Sequence, residues 1–492
     1  MQIIYKTQNK MRRNFVLLFI AVLSHIKAQK LQFEWGESFE GVTIRGYSML
    51  RLPCATDSIC FFTQLKTIYA PSAFYMTKKT FGGLGSNNGR VIKMPEVKGQ
   101  GTDLYYIKAI DNRPVLLSYR NDRKFHLLRS YLHVLKNDST VDENYRILGE
   151  IRDFRHTDDF IHLSSPDTRK FMTAYFEKRK KDQKIRVKCH VIDKNINVVW
   201  SELLELPYIG RQCKVSEMQI INTGDFYFMV ELKFIEEGKK LKKPVYKLFF
   251  YKWKEKVLSE VSINSEDNYL FDLRYETDQD SNIVCGGLFC EKKQKIKTGT
   301  KRMEHWVKGA FYIKVDPKKK EVIEHNKYAL PESPFLRGEY PAYYLDHMYL
   351  MDEGRVIFLS ERRFVDQAQT KGAPAIQMNE EIMIINIAQN SASSWSKFIP
   401  KHQARIVGPG IDYSSYFVLS NKDELNILYN DTKHSLLKVV SAKGGITDNP
   451  VFQNSEQYVI PKLRVQMSDN EVIFYSQHKP DTFRFGKVRL IN

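Results

Sequence analysis

The sequence predicts an all-β protein, a single β-propeller of seven or eight four-stranded blades whose ring is closed by pairing of the N-terminal and C-terminal strands. Three observations lead to this prediction. A strongly apolar strand recurs every 56 residues through the first half of the chain. Aromatic residues make up 13% of the 492 residues, which favours pleated, half-buried strands. No long segment shows the 3.6-residue period of an amphipathic helix, so we expect few and short helices.

The N-terminus has the order of a secretory signal peptide. Basic residues precede the apolar stretch 15–23, and the small residue Ala28 follows it. The apolar run is about half the roughly 20 residues that span a bilayer. We therefore predict a signal peptide over residues 1–29, cleaved near Ala28 or Gln29, and a mature propeller domain over 30–492 without a transmembrane segment. The expected location is exported: periplasmic, cell-surface or secreted.

The recurring strand defines the repeat. Each copy follows a short turn that contains Asp, Asn, Gly or Pro, which is the chemistry of a hairpin. The copies begin at Ile59, Val115, Phe171, Tyr227, Ile283, Val356, Leu425 and Val472. The first five starts are 56 residues apart, and the later intervals are 73, 69 and 47. The longer intervals place insertions at residues 292–307 and 365–378, and we expect the second of these to be a mobile loop important for function.

A second pair of extended segments follows each hairpin, as in residues 188–203 and 382–398. Two hairpins per unit make a four-stranded meander, which must stack on its neighbours to bury its faces. Radial stacking into a propeller is the usual solution. The last unit lacks its outer strand, which residues 31–35 could supply. The alternative is two smaller all-β domains divided at the Pro-rich stretch 331–341.

Residues 280–288, Asp-Ser-Asn-Ile-Val-Cys-Gly-Gly-Leu, carry a turn and a strand, with weaker copies at 352–359 and 469–475. This pattern resembles the Asp-x-x-Gly-Asn-Ile-Tyr-Val turn and strand of bacterial secreted β-propeller repeat proteins, including the NHL-like ones. The resemblance implies the propeller fold and a binding or scaffolding role.

Six cysteines are compatible with disulfides in an exported chain. Cys54 and Cys60 flank a predicted turn and are candidates for one bridge, with buried thiols as the alternative. Cys285 and Cys290 lie five residues apart in a strand and point to opposite faces, so we do not expect them to pair. No Cys/His cluster has zinc spacing, and no metal or cofactor is expected.

Polar side chains follow the recurring strand at matched positions. If the blades are equivalent, these side chains would line one mouth of the central channel, where propeller ligands bind. The alternative is that they are strand ends that leave the core and meet water. The candidate ligand-binding residues are Arg120, Glu177, Glu231, Glu361, Arg362, Asn430 and Asp431.

These features predict an exported, non-catalytic β-propeller that serves as a protein-interaction or surface-ligand-binding module. The net charge of +19 favours a protein or an anionic surface polymer as partner, and no nucleic-acid-binding module is present. The alternative is a propeller-type glycoside hydrolase or another carbohydrate-processing enzyme, using converging carboxylates such as Glu177, Glu231 and Glu361. A close carboxylate pair in a cleft, with at least one raised pKa, would favour the enzyme. Trp200 and Trp395 are expected to pack between blades.

Overall fold

The computed structural model describes residues 30–491, apart from 37, 41–48, 56–58, 66–72, 81–89, 112, 123, 137–139, 153–159, 178–182, 211, 235–239, 292–305, 333–339, 367–373, 408–411, 422, 432–434, 451–457 and 480–481. The predicted signal peptide and most of the insertion at 292–307 lie outside the described residues. Two single 3-10 turns, Asp352–Gly354 and Ser391–Ser393, are the helical elements in the described part. In that part, no helix is long and apolar enough to cross a membrane.

Four antiparallel sheets, numbered here as blades, form the first half of the chain. Blade 1 comprises Met49–Ala55, Ile59–Leu65, Ala73–Thr80 and Arg90–Lys93. Blade 2 comprises Asp103–Ile110, Arg113–Asp122, Leu127–Leu135 and Val141–Arg152. Blade 3 comprises Ile161–Ser164, Lys170–Glu177, Lys184–Asp193 and Val198–Ile209. Blade 4 comprises Cys213–Ile220, Phe226–Phe234, Lys240–Lys252 and Val257–Ile263.

Four further sheets follow. Blade 5 comprises Tyr269–Thr277, Ile283–Cys290, Gly309–Asp316 and Glu321–Ala329. Blade 6 comprises Tyr343–Leu350, Val356–Asp366, Ile376–Ile387 and Trp395–Ile399, with Gln403–Ile406 added beside the third strand. Blade 7 comprises Tyr416–Ser420, Glu424–Asn430, Ser435–Ser441 and Ile446–Pro450. Blade 8 comprises Tyr458–Ser468, Glu471–Lys479, Thr482–Ile491 and, from the N-terminus, Lys30–Trp35, with Phe39–Glu40 also on its third strand. Two short two-stranded sheets, Glu96–Val97 with Gln100–Gly101 and Trp306–Val307 with Tyr340–Pro341, lie between blades or strands.

The strands of each blade are hydrogen-bonded in meander order, from the innermost strand outward. The innermost strands contact one another between blades 1 and 2, 3 and 4, 4 and 5, 5 and 6, 7 and 8, and 8 and 1. Blades 2 and 3 meet through the outermost strand of blade 2 and the second strand of blade 3, and blades 6 and 7 share an apolar cluster. The chain is therefore one eight-bladed ring, which answers the choice between seven and eight blades. Blades 5 and 6 pack directly against each other across the stretch 331–341, so the two-domain alternative is wrong.

The ring closes through the two ends of the chain. Lys30–Trp35 pairs antiparallel with Thr482–Ile491, so that Leu31 lies opposite Leu490 and Trp35 opposite Gly486. This confirms the predicted closure. Pairing the ends leaves blade 8 with a full set of four strands and joins distant segments in one sheet.

The recurring strand is the second strand of every blade, as predicted, and in blades 2 to 8 its apolar residues are mostly buried. In blade 5 every residue of Ile283–Cys290 is buried. Apolar clusters join successive blades, and one of them places Trp200 of blade 3 in a stack on Phe226 of blade 4, with ring centroids 6.0 Å apart. Trp395 packs against blade 7 in the same way, which confirms the packing role of both tryptophans.

The predicted mobile loop at 365–378 is partly regular structure. Val365 lies opposite Gln377 and Asp366 opposite Ile376, so the second and third strands of blade 6 extend beyond the sheet. Gln403–Ile406 adds a third strand to this extension. The loop prediction was wrong for these residues because backbone pairing to the added strand stabilises a segment whose side chains are small and polar.

Candidate functional site

Glu361, one of the predicted mouth residues, lies buried in an ionic network. Its side chain is fully enclosed and accepts hydrogen bonds from Lys401 Nζ at 2.5 Å, Asn379 Nδ2 at 2.8 Å and Ser415 Oγ at 3.1 Å. Arg363 Nε lies 3.6 Å from the same carboxylate. These partners come from blade 6 and from the segment that leads into blade 7. A buried carboxylate is stable only when hydrogen bonds and opposite charges replace its contacts with water. Glu361 has these partners, so its environment is that of a residue with a structural role.

Asn430 joins the same network through Gln403. Lys401 Nζ donates to Gln403 Oε1 at 2.7 Å, and Gln403 Nε2 donates to the backbone carbonyl of Asn430 at 2.8 Å. The Asn430 side chain donates to the carbonyls of Tyr413 and Val459, at 2.8 and 2.6 Å. Asn430 thus fixes the path from blade 7 into blade 8.

The other predicted mouth residues are held in separate local contacts. Arg120 binds Asp122 at 3.2 Å, and Arg362 binds Glu380 at 2.9 Å. Glu177 lies opposite Arg186 in blade 3, and Glu231 opposite Lys214 and Tyr246 in blade 4; Asp431 is half-buried after the second strand of blade 7. The structure therefore brings Glu361 and Asn430 together and leaves the remaining five apart. Ligand binding by these residues stays a prediction.

The predicted disulfide concerns blade 1. The backbone register places Cys54 opposite Phe61 and Cys60 opposite Ala55, one residue out of alignment. The side chains of both cysteines lie outside the described part of the structure, so the bridge stays a prediction. Cys189, Cys213, Cys285 and Cys290 are buried free thiols, as expected for the pair in blade 5.

Bulges in the innermost strands carry acidic side chains that connect the blades. Glu217 and Asp272 adopt left-handed backbone angles, with φ of 31° and 49°. Asp272 accepts a hydrogen bond from the backbone N–H of Leu345 in blade 6 at 3.1 Å. Asp346 binds Arg363 at 2.6 Å and accepts from the Tyr416 hydroxyl of blade 7 at 3.0 Å. These contacts hold neighbouring blades in register around the channel.

A cleft of about 840 Å³ opens between blades 4 and 5, on the face opposite the predicted mouth. We call it the blade 4–5 cleft. Its walls are the turns around Thr223 and Lys254 in blade 4 and those around Ser281 and Pro317 in blade 5. Glu276, near the end of the innermost strand of blade 5, also lines it. A cleft of this size could hold several units of an oligomeric ligand.

Trp253 provides an aromatic wall whose orientation is fixed. Its indole N–H donates to the carbonyl of Thr223 at 2.9 Å, and its backbone N–H donates to Asp225 Oδ1 at 3.1 Å. Gly224, with φ of +93°, lies directly beneath, and a Cβ there would meet the indole nitrogen at 3.2 Å. The turn therefore needs glycine both for its backbone angle and for close approach of the indole. The indole is half-buried and lines the cleft.

Glu276 is the most perturbed carboxyl in the cleft. Burial, followed by the charge of Asp469 on the turn of blade 8, raises the pKa of Glu276 to about 7. In the described part of the chain it has no ion pair, whereas Asp278 two residues later binds Lys314 at 2.6 Å. A carboxyl of this kind exchanges its proton near neutral pH, which is characteristic of functional sites.

Four further carboxylates and three lysines also line the cleft: Asp225, Glu255, Asp280, Asp316, Lys252, Lys254 and Lys318. Lys254 and Lys318 are exposed, and the Lys254 ammonium lies 5.8 Å from the centroid of the Trp253 ring. Lys252 binds Glu255 at 3.5 Å. The cleft thus combines an aromatic wall, a protonatable carboxyl and two exposed ammonium groups. Within the described residues, no group of three or more His, Cys, Asp or Glu side chains is placed to hold a metal ion.

Trp253 and Glu276 are not among the residues predicted from the sequence. The predicted residues follow the ends of the second strands, which lie on the other face of the ring. Glu276 could have been noticed as an acidic residue in a strand whose alternate residues are buried, and Trp253 as an aromatic residue in a turn.

No protein-family model matches the chain, and no curated protein matches it. Solved structures do match. They include the Dos1 propeller, with a TM-score of 0.42 and 8% identity over 92% of this chain and 94% of that one. Cobalt-substituted Synechocystis apocarotenoid oxygenase matches with a TM-score of 0.39 and 9% identity over 85% and 92%. The Penicillium chrysogenum α-L-arabinanase complexed with arabinobiose matches with a TM-score of 0.32 and 12% identity over 66% and 94%. Since these scores are below 0.5, the eight-bladed propeller is assigned from the strand pairings of this chain.

Proposed function

We propose that the protein is an exported, non-catalytic binding module whose blade 4–5 cleft binds an anionic surface polysaccharide. The observation that carries this proposal is the presence of Trp253 and Glu276 in one cleft. A fixed indole offers an apolar face on which a sugar ring can stack, and a few convergent polar groups orient its hydroxyls. Amide and hydroxyl groups of Asn222, Thr223 and Thr277 line the same cleft and add hydrogen-bonding partners.

The exposed lysines at the rim are the groups of the cleft that favour an anionic polymer. Lys254 and Lys318 are exposed at the cleft entrance, where they can contact carboxylate groups along a chain of acidic sugars. The net charge is +19 for the full chain and +14 from residue 30 onward, because residues 1–29 contain five Lys and Arg and no Asp or Glu; this charge gives the exported protein a long-range attraction for such a polymer. This attraction raises the association rate, while Trp253 supplies the specific contact.

Affinity gel electrophoresis tests the proposal. The protein from residue 30 onward is run through native gels that contain soluble polygalacturonate, or galactomannan as a neutral comparison. We expect polygalacturonate to retard the wild type and Trp253→Ala to lose most of the retardation. Phe125→Ala, which removes an exposed aromatic ring of blade 2 outside the cleft, is the matched control. Equal retardation of Trp253→Ala and wild type would overturn the assignment of the cleft.

Glycoside hydrolysis is the second candidate function, and Glu276 favours it. A carboxyl with a pKa of about 7 is suited to general-acid catalysis near neutral pH. Asp469, which acts on Glu276 through its charge, does not line the cleft, so a catalytic pair within the cleft is not formed by these two residues. Release of reducing sugar ends from either polysaccharide, abolished by Glu276→Gln, would establish the enzyme and replace the binding module.

A further inference from the structure

We propose that ligand binding in the blade 4–5 cleft is coupled to the uptake of one proton by Glu276, whose protonated carboxyl donates a hydrogen bond to an uncharged sugar oxygen. This inference rests on the proposed function and specifies its chemistry. It divides the cleft into a floor that recognises hydroxyl or ether oxygens and a rim that recognises carboxylates.

The position of Glu276 connects the cleft with the central channel. It precedes Thr277, whose hydroxyl is hydrogen-bonded to the Tyr227 hydroxyl of blade 4 at 3.0 Å. This contact joins the innermost strand of blade 5 to the second strand of blade 4 at the cleft floor. Glu276 is therefore held on a rigid strand, where a ligand that enters the cleft can reach it.

The titratable groups around Glu276 are acidic or neutral at pH 7. Tyr227 faces it from blade 4, Tyr349 from blade 6 and Asp469 from the turn of blade 8. On blade 5 itself, Asp280 lines the same cleft. Burial raises the pKa of both tyrosines above their ordinary range, so both are neutral. The field at this point therefore opposes ionisation of the carboxyl.

The half-buried cations of these strands have other partners, and Lys254 and Lys318 are exposed at the rim. Lys314 binds Asp278, and Lys252 binds Glu255. Arg274, two residues before Glu276, donates to the backbone carbonyls of Leu273 and Leu345, each at 3.0 Å. In the absence of a dedicated cation, the neutral carboxyl is the form that the cleft stabilises near and below pH 7.

The protonation state decides which ligand atom can be bound. A neutral carboxyl donates to a hydroxyl or ether oxygen, and such a contact strengthens as the proton is taken up. A cationic ligand group would select the carboxylate and release a proton instead. The direction in which affinity changes with pH therefore distinguishes the two ligand chemistries, and the carboxylates of an acidic polymer add to the preference for the protonated form.

The test measures the dissociation constant of the protein from residue 30 onward for soluble polygalacturonate between pH 5.5 and 8.5. We expect constant affinity well below pH 7 and a weakening that approaches tenfold per pH unit above it. Glu276→Gln should abolish this dependence, because the amide donates a hydrogen bond at every pH. Glu332→Gln, at an exposed site between blades 5 and 6, should behave as wild type.

Calorimetry in two buffers of different ionisation enthalpy measures the number of protons taken up on binding. We expect net proton uptake at pH 7.5 for wild type and none for Glu276→Gln. Binding that is independent of pH, or that strengthens with rising pH, overturns the proton-coupled contact and leaves the binding module intact. Retention of the pH dependence by Glu276→Gln also overturns it. Absence of wild-type binding to polygalacturonate at every pH overturns the proposed function and this inference together.

Discussion

Lys401 Nζ lies 2.5 Å from Oε1 of Glu361, and neither side chain is open to solvent. Replacing one partner leaves the other charge buried, which commonly costs about 3 kcal/mol or more. We expect Lys401→Met to lower the free energy of unfolding by about 3 kcal/mol, since Arg363 and Asn379 still contact the carboxylate. Urea unfolding measures the change. Lys397→Met, at an exposed position in the same blade, should change it by less than about 0.5 kcal/mol.

Closure of the ring depends on the N-terminal strand. Trp35 packs edge-on against Phe474, with centroids 5.5 Å apart, and the Arg484 guanidinium lies 3.8 Å from the centroid of its ring. Trp35→Ala should destabilise the protein by about 2–3 kcal/mol through lost packing. A chain that begins at residue 36 should melt at a lower temperature than one that begins at residue 30. Equal melting temperatures for these two chains would contradict the closure.

Gly309 marks a close approach within blade 5. A Cβ at this position would lie 2.1 Å from the carbonyl oxygen of Tyr328 and 2.7 Å from the ring of Phe289. We expect Gly309→Ala to cost about 3 kcal/mol or more, because backbone has to move. Gly101→Ala is the matched control, since no atom lies within 4 Å of its added Cβ. Similar urea midpoints for the two variants would show that the blade tolerates the methyl group.

Glu276 links stability to pH. Its pKa of about 7 in the folded protein exceeds the ordinary value of 4.5, so the folded state binds more protons between these limits. This contribution is fully present below pH 4.5 and is lost as the pH rises through 7. Glu276→Gln removes the titration and should make the protein more stable than wild type at pH 8, by about 1 kcal/mol after screening is taken into account. Unfolding free energies at pH 5 and pH 8 measure this difference, which should grow with pH; a constant difference would contradict it.

The fold could be predicted because the second strand of every blade has an apolar sequence. In blades 2 to 8 the apolar residues of this strand are mostly buried, so an apolar segment recurs along the chain. Closure by residues 31–35 followed from the missing strand of the last unit. The number of blades could not be decided, because residues that form the second hairpin of blade 1 have little apolar periodicity.

The candidate site was harder to predict for two physical reasons. Polar residues that look like strand ends in the sequence can be buried when the strand continues past them and the next segment folds over them, as happens to Glu361 within Val356–Asp366 and beneath Lys401. The cleft also forms between the turns of two different blades, which no local pattern encodes. Trp253 and Glu276 are 23 residues apart in sequence and face one cavity only because blades 4 and 5 pack side by side.

Hydrogen exchange of backbone amides with and without polygalacturonate locates the bound polymer on the ring. We expect slower exchange in the turns 222–225 and 280–283, which wall the blade 4–5 cleft, and no change in the segment 401–406 beside Glu361 on the opposite face. Protection confined to 401–406, with none at the cleft, would contradict binding in the cleft.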